Sequence, residues 1–285
     1  MGVKIMRFIG SVLYQTMHAS NLLLAAAFLP FSVSAQTTHT LLATPTTVAW
    51  GYYSATAKPV LTIHTGDTVT IQTASTCGPP ERLKSQGIAD ADIPTWLADI
   101  YAKVPKEERG PGGHILTGPI AIAEAEPGDV LEVRILKINI DTTWACNGFG
   151  KGRGFLPDDY PYSKSKIIPL DRKKMVANFG PGITIPLHPF FGSIGIAPPP
   201  SAGKWNSAPP WVHGGNMDNK ELTVGATVFY PVFAPGALFE AGDGHAGQGN
   251  GEVDITELVD TKSGVHVMCA KSLFTGPRIQ PSSRP

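Results

Sequence analysis

Twice in this chain a Gly-Asp pair stands directly before a run that alternates β-branched and polar residues. The first is Gly66-Asp67 within VLTIHTGDTVTIQT (60–73), and the second is Gly128-Asp129 before VLEVRILKINI (130–140). Period-two alternation sends successive side chains to opposite faces of an extended strand, and Gly with Asp supplies the turn between strands. The first pair predicts a hairpin over 60–73, the second a long strand over 130–140. Further strands are expected at Ile115–Ala123 and, after Gly225-Ala226, at Thr227–Phe233. With 31 glycines and 26 prolines the chain has little room for long helices, and one short helix is expected near Pro94–Lys103. Residues 77–113 and 141–185 lose the alternation and read as irregular excursions, suited to a lid or an access wall. The expected fold class is mainly β, a sandwich or barrel with few short helices, in one domain or two β subdomains over residues 36–285.

Charge narrows the partners. The 23 basic and 23 acidic side chains balance, so no basic field gathers nucleic acid. A hydrophobic content of 42% argues against a disordered chain. At the N-terminus, Lys4 and Arg7 precede an apolar stretch from Leu22 to Phe31, followed by the small residues Ser32-Val33-Ser34-Ala35. That is the pattern of a signal peptide over 1–35, cut before Gln36, which implies a secreted or periplasmic protein. The apolar stretch is short for a bilayer, so no stable membrane anchor is expected after cleavage. In an oxidising compartment two of Cys77, Cys146 and Cys269 can pair and one is left over; their spacing matches no zinc ribbon or redox pair.

The chemistry concentrates in two glycine-rich runs, HGGNMD at 213–218 and GDGHAGQGNGE at 242–252. Glycine lets backbone approach a ligand closely, and the oxygen and imidazole groups between the glycines can bind a metal or move protons. These runs, with LTGPIAIAEAEPGDVLEVRILKI at 116–138 and HPFFGSIGIAP at 188–198, stand in the order found in one family. The chain resembles the acetamidase/formamidase family of metal-associated amidases. The resemblance implies a largely β enzyme that hydrolyses formamide- or acetamide-like substrates to a carboxylate and ammonia. Members usually lack an export signal and continue past the GQGNGE block, so a C-terminally shortened sheet is expected here. An exposed edge of that kind leaves a homo-oligomer open.

Amide hydrolysis needs an activated water, a stabilised carbonyl oxygen and a proton for the leaving nitrogen. The candidate metal ligands by type are Asp218, Asp243 and His245 in the glycine-rich runs and His114 at the start of the LTGPI strand. Asp243 and His245, two apart, would share a face of an extended strand. The ion expected is divalent, zinc ahead of calcium, given a mixed nitrogen and oxygen set. Glu252 is the candidate general base or acid. Asn216 is the candidate donor to the carbonyl oxygen, with Gly214 and Gly215 offering backbone N–H groups as an oxyanion nest. The plainer readings are that Asp218-Asn219 forms a turn, that His245 is a structural imidazole, and that His64 and Phe190-Phe191 are structural. Glu124 and Glu126 are expected to face solvent. No G-x-S-x-G elbow occurs; Gly192-Ser193-Ile194-Gly195 has the wrong spacing. The competing reading is a non-catalytic β domain, an inactive relative or a carbohydrate-binding module.

Overall fold

The computed structural model describes residues 36–253 and the strand segments 258–259 and 264–271. The expected signal peptide at 1–35 lies outside the described residues. The chain opens with β1 (Thr38–Leu41), β2 (Val48–Trp50), β3 (Tyr52–Ser54), β4 (Leu61–Ile63) and β5 (Thr68–Gln72), then the helices α1 (Pro80–Ser85) and α2 (Thr95–Lys103). Next come β6 (Ile115–Ile122), β7 (Val130–Ile135), β8 (Trp144–Phe149), β9 (Lys164–Asp171), β10 (Val176–Gly180) and β11 (Ile183–Pro186). The rest are β12 (Phe190–Gly195), β13 (Lys204–Asn206), β14 (Gly214–Asn216), β15 (Thr227–Pro231), β16 (Phe239–Gly247), β17 (Leu258–Val259) and β18 (Gly264–Lys271). The mainly β expectation holds, and α2 falls where a helix was expected, entered through Pro94 in extended conformation (φ −61°, ψ 131°).

Five strands form one sheet in the order β1-β5-β18-β7-β15. A larger sheet runs β11-β10-β9-β8-β17-β16-β12-β14, with β6 joining it beside β16 and carrying β2 and β4. The two sheets close on one apolar core. Val69, Ile71, Leu131, Val133 and Tyr230 come from the smaller sheet, and Ile63, Ile120, Phe191, Ile194 and Phe239 from the larger. A second cluster seats Leu83 of α1 with Leu97 and Ile100 of α2 beside Ile115 and Trp144.

Two expectations are corrected. The 60–73 segment is not a hairpin: β4 pairs in parallel with β6, whereas β5 lies between β1 and β18 in the other sheet. The Gly-Asp turn is an arch between sheets, and Asp67 explains why. Its carboxylate is 5% exposed and accepts the N–H of His64 and of Thr37, both at 2.9 Å, which ties the turn to the start of β1. Gly128-Asp129 likewise carries the chain from β6 in the larger sheet to β7 in the smaller. The second correction concerns 141–185, expected to be irregular, which folds into β8 to β11 as an antiparallel extension of the larger sheet. Gly, Asn and Lys interrupt its alternation, and cross-strand pairing overrides that weak local preference.

Candidate active site

Strand β16 is the hub of the larger sheet. One edge pairs throughout with β12, from Phe190↔His245 to Gly195↔Glu240. The other edge pairs with β6 up to Gly242 and with β17 from His245. Asp243 sits where the partner changes, and its backbone leaves the extended region, with φ at +54°. Positive φ in a non-glycine residue costs of order 1–3 kcal/mol and persists where the surroundings over-determine it. Asp218 (φ +46°) and Glu252 (φ +41°) share that conformation, so three of the candidate residues are held in strained backbone.

The strain brings acidic and imidazole groups together. Single ligand atoms of Asp218, Asp243 and His245 lie within 4.8 Å of one another. His245 Nε2 is 3.1 Å and His114 Nε2 3.5 Å from the same oxygen, Asp243 Oδ2. Thr76 donates from Oγ1 to Asp243 Oδ1 at 3.3 Å. The opposite ring nitrogens fix the tautomers. Nδ1 of His114 lies 3.1 Å from the Ser207 carbonyl, which only accepts, and 3.0 Å from Ser207 Oγ, which can accept as well, a setting that favours the hydrogen on Nδ1. Gln248 donates its Nε2 to the Asp218 carbonyl at 3.2 Å, which turns its Oε1 to His245 Nδ1 at 2.9 Å. Both Nε2 atoms therefore present lone pairs toward a carboxylate oxygen. Acceptors facing one another need a cation or a proton between them, and this donor set, each imidazole backed by an acceptor on its far nitrogen, fits a divalent metal.

The floor is made by Gly192 on β12. A Cβ there would lie 2.6 Å from His245 Cε1, 2.7 Å from Asp218 Oδ1 and 2.7 Å from Asp243 Oδ2. Its carbonyl accepts the N–H of Met217 at 2.9 Å and of Asp218 at 3.1 Å, pinning the loop that carries Asp218. Phe190 packs edge-on against His245 with ring centroids 4.8 Å apart. Burial works to raise the Asp243 pKa; when the protons that can stand between these groups sit on the imidazoles, the charges of His245 and His114, with hydrogen bonds from His245 and Thr76, hold the carboxyl below the usual range.

The cleft above this cluster has a volume of about 670 Å³. His114, Asn216, Asp218, Asp243 and Glu252 all line it, so the structure gathers five of the candidate residues. Asn216 donates Nδ2 to Asp218 Oδ2 at 2.8 Å, which makes it a positioning group for that carboxylate. Gly214 and Gly215 depart from expectation. They pair with Gly195 and Ile194 in the β12–β14 ladder, and the Gly214 N–H is donated to the Trp211 carbonyl at 2.9 Å. Gly214 is there for packing, because a Cβ would meet Tyr230 Cε1 at 2.5 Å. Neither glycine is among the residues lining the cleft, and the Gly214 N–H is already taken by the Trp211 carbonyl.

The structural readings hold elsewhere. His64 pairs through Nδ1 with Glu124 Oε1 at 2.6 Å on the surface, so Glu124 is tied back while Glu126 faces solvent. Phe190 and Phe191 are fully buried. Ser193 is buried and its Oγ lies 3.0 Å from Tyr53 Oη, away from any nucleophile role. A disulfide joins Cys77 to Cys146, both on the cleft wall. Gly192, Thr76, Gln248 and this pairing escaped sequence reasoning; for Gly192 the signal was its place in HPFFGSIGIAP.

Fold and cluster together define a β protein of two main sheets, with a small β3–β13 ribbon beside them and a carboxylate–imidazole centre under an open cleft. The acetamidase/formamidase family model matches residues 108–207 and 201–274. The chain belongs to the acetamidase/formamidase family. It is 31% identical to an acetamidase of Mycolicibacterium smegmatis, over 52% of this chain and 50% of that protein. To a formamidase of Methylophilus methylotrophus it is 31% identical, over 52% of this chain and 49% of the relative. The chain thus spans about half the length of the curated relatives it matches. Among solved structures, a predicted acetamidase/formamidase of Thermoanaerobacter tengcongensis superposes with a TM-score of 0.69 at 27% identity, covering 86% of this chain and 72% of the other. An acetamidase of Bacillus halodurans follows at 0.65 and 26%, covering 82% and 70%.

Proposed function

We propose that this protein hydrolyses small amides to a carboxylate and ammonia, with a divalent ion held by Asp218, Asp243, His245 and His114. The observation that carries the reading is the convergence of two imidazole Nε2 atoms on Asp243 Oδ2, beside the Asp218 carboxylate. When bound, a divalent ion there supplies acidification of water and polarisation of the amide carbonyl, with zinc suiting the mixed nitrogen and oxygen donors ahead of calcium. The chain's own groups do the rest. Glu252, on the cleft wall, takes a proton as the water oxygen adds to the carbonyl carbon, and returns it to the nitrogen as the C–N bond breaks. The balance is amide plus water to carboxylate plus ammonium. Asn216 keeps the Asp218 carboxylate oriented through its 2.8 Å hydrogen bond, and Gly192 leaves room for the cluster to close. An exported location is part of the proposal, supported by the Cys77–Cys146 disulfide, a bond that persists in oxidising compartments.

The test is ammonia release from formamide and acetamide by purified protein, before and after chelation, with metal content measured alongside. Turnover that a chelator removes and one added ion restores is the expected result. Asp243→Asn and His245→Ala should each lower it by at least about 10²-fold. Turnover indifferent to chelation removes the metal from the scheme. A folded protein with ligand binding and no turnover returns the non-catalytic reading.

A further inference from the structure

The cleft carries more than its acidic floor. Three cations border it, each from a different element: Arg82 on α1, Arg153 in the β8–β9 connection and Lys164 at the start of β9. All three are exposed, and none takes part in an ion pair among the described residues. The acids on the lining are Asp218, Asp243 and Glu252, the candidate catalytic groups themselves. The rim is also braced. The Cys77–Cys146 disulfide ties the approach to α1 to β8, and Gln86 Nε2 donates to Ser165 Oγ at 2.5 Å, joining the end of α1 to β9. Phe149, on the same wall, packs edge-on with Tyr160 and Tyr162 at 5.8 and 5.2 Å.

Formamide and acetamide have nothing for such a rim to recognise. They are neutral and hold three and four non-hydrogen atoms, whereas about 670 Å³ suits ligands several times larger. Three cations with no ion-pair partner among the described residues, on a braced rim facing an acidic floor, match a substrate whose two ends differ in charge. We propose that the preferred substrates are primary amides bearing a carboxylate at the far end, with Arg82, Arg153 and Lys164 as specificity-determining residues that hold it. This rests on the amidase reading for the bond that is cut, and adds which amides are taken.

Succinamate and butyramide test it, because they differ only by a carboxylate in place of a methyl group. Wild-type protein should show a kcat/KM for succinamate about tenfold or more above that for butyramide at low ionic strength, shrinking as salt is added. In the double variant Arg82→Gln/Arg153→Gln that ratio should fall about tenfold, through KM rather than kcat. Calorimetric binding of succinate, which cannot be hydrolysed, should weaken in the same variant. A ratio at or below one, or a ratio and a succinate affinity that ignore the double substitution, overturns the proposal. If neither amide is turned over while succinate binding still depends on Arg82 and Arg153, the amidase reading falls and anion recognition stands. Loss of both turnover and binding in wild type removes both.

Discussion

Gly192 shows how a residue with no side chain governs a site. Its missing methyl group is the space in which Asp218, Asp243 and His245 converge, at 2.6 to 2.7 Å from where a Cβ would stand. Gly192→Ala should push those groups apart by a large part of an ångström and lower turnover by about 10²-fold, in line with the cost of small misplacements near the chemistry. Ammonia release and metal content, read with a thermal unfolding curve, separate this from general destabilisation. Asp218, Asp243 and His245 were legible beforehand because dense glycine beside carboxylate and imidazole is an unusual local pattern. Thr76 and Gly192 were not: Thr76 meets Asp243 across 167 residues of chain, and only folding makes that neighbourhood. Gly214 was legible as special without its reason being legible, since packing against Tyr230 and oxyanion binding leave the same letter in a sequence.

Among the elements, the wall of the cleft depends on a covalent tie. Cys77 and Cys146 are 69 residues apart, and removing a cross-link over a loop of that length costs about 4 kcal/mol on chain-entropy grounds. The double substitution Cys77→Ser/Cys146→Ser should therefore lower the unfolding free energy by about that amount in denaturant titration, and reductant should produce the same shift in wild type alone. Strand positions were largely readable from period-two alternation, and α2 from the proline before it. What local pattern could not convey was partnership. The runs flanking Gly66-Asp67 look like two arms of a hairpin, yet each finds a stronger apolar partner in a different sheet, with Asp67 sealing the corner. The β8–β11 extension failed in the opposite sense, because Gly, Asn and Lys interrupt its alternation while cross-strand pairing, a context no local pattern carries, makes it sheet.

Across the whole molecule, stability should respond to mild acid through His213. This imidazole is fully buried, neither ring nitrogen has a hydrogen-bond partner among the described residues, and Tyr53 lies with its ring centroid 4.9 Å away. Burial lowers its pKa from 6.5 to about 4. Between those values the unfolded chain binds a proton that the folded chain refuses, so this contribution is intact above 6.5 and is lost as pH falls toward 4. The loss should be on the order of 2 to 3 kcal/mol in chemical denaturation across that range, and His213→Gln should flatten it.

The order of the smaller sheet bears on how the protein is made. Its central strand, β18, is completed only at Lys271, and it alone joins the β1–β5 pair to the β7–β15 pair. Translation delivers the chain from the N-terminal side at about 5–20 residues per second, so those two pairs emerge well before the strand that unites them. Until β18 arrives, β5 and β7 each offer an unfilled edge. Newly made chains should therefore depend on a holding chaperone until β18 emerges, with commitment to the native sheet coming after the other described strands have left the ribosome.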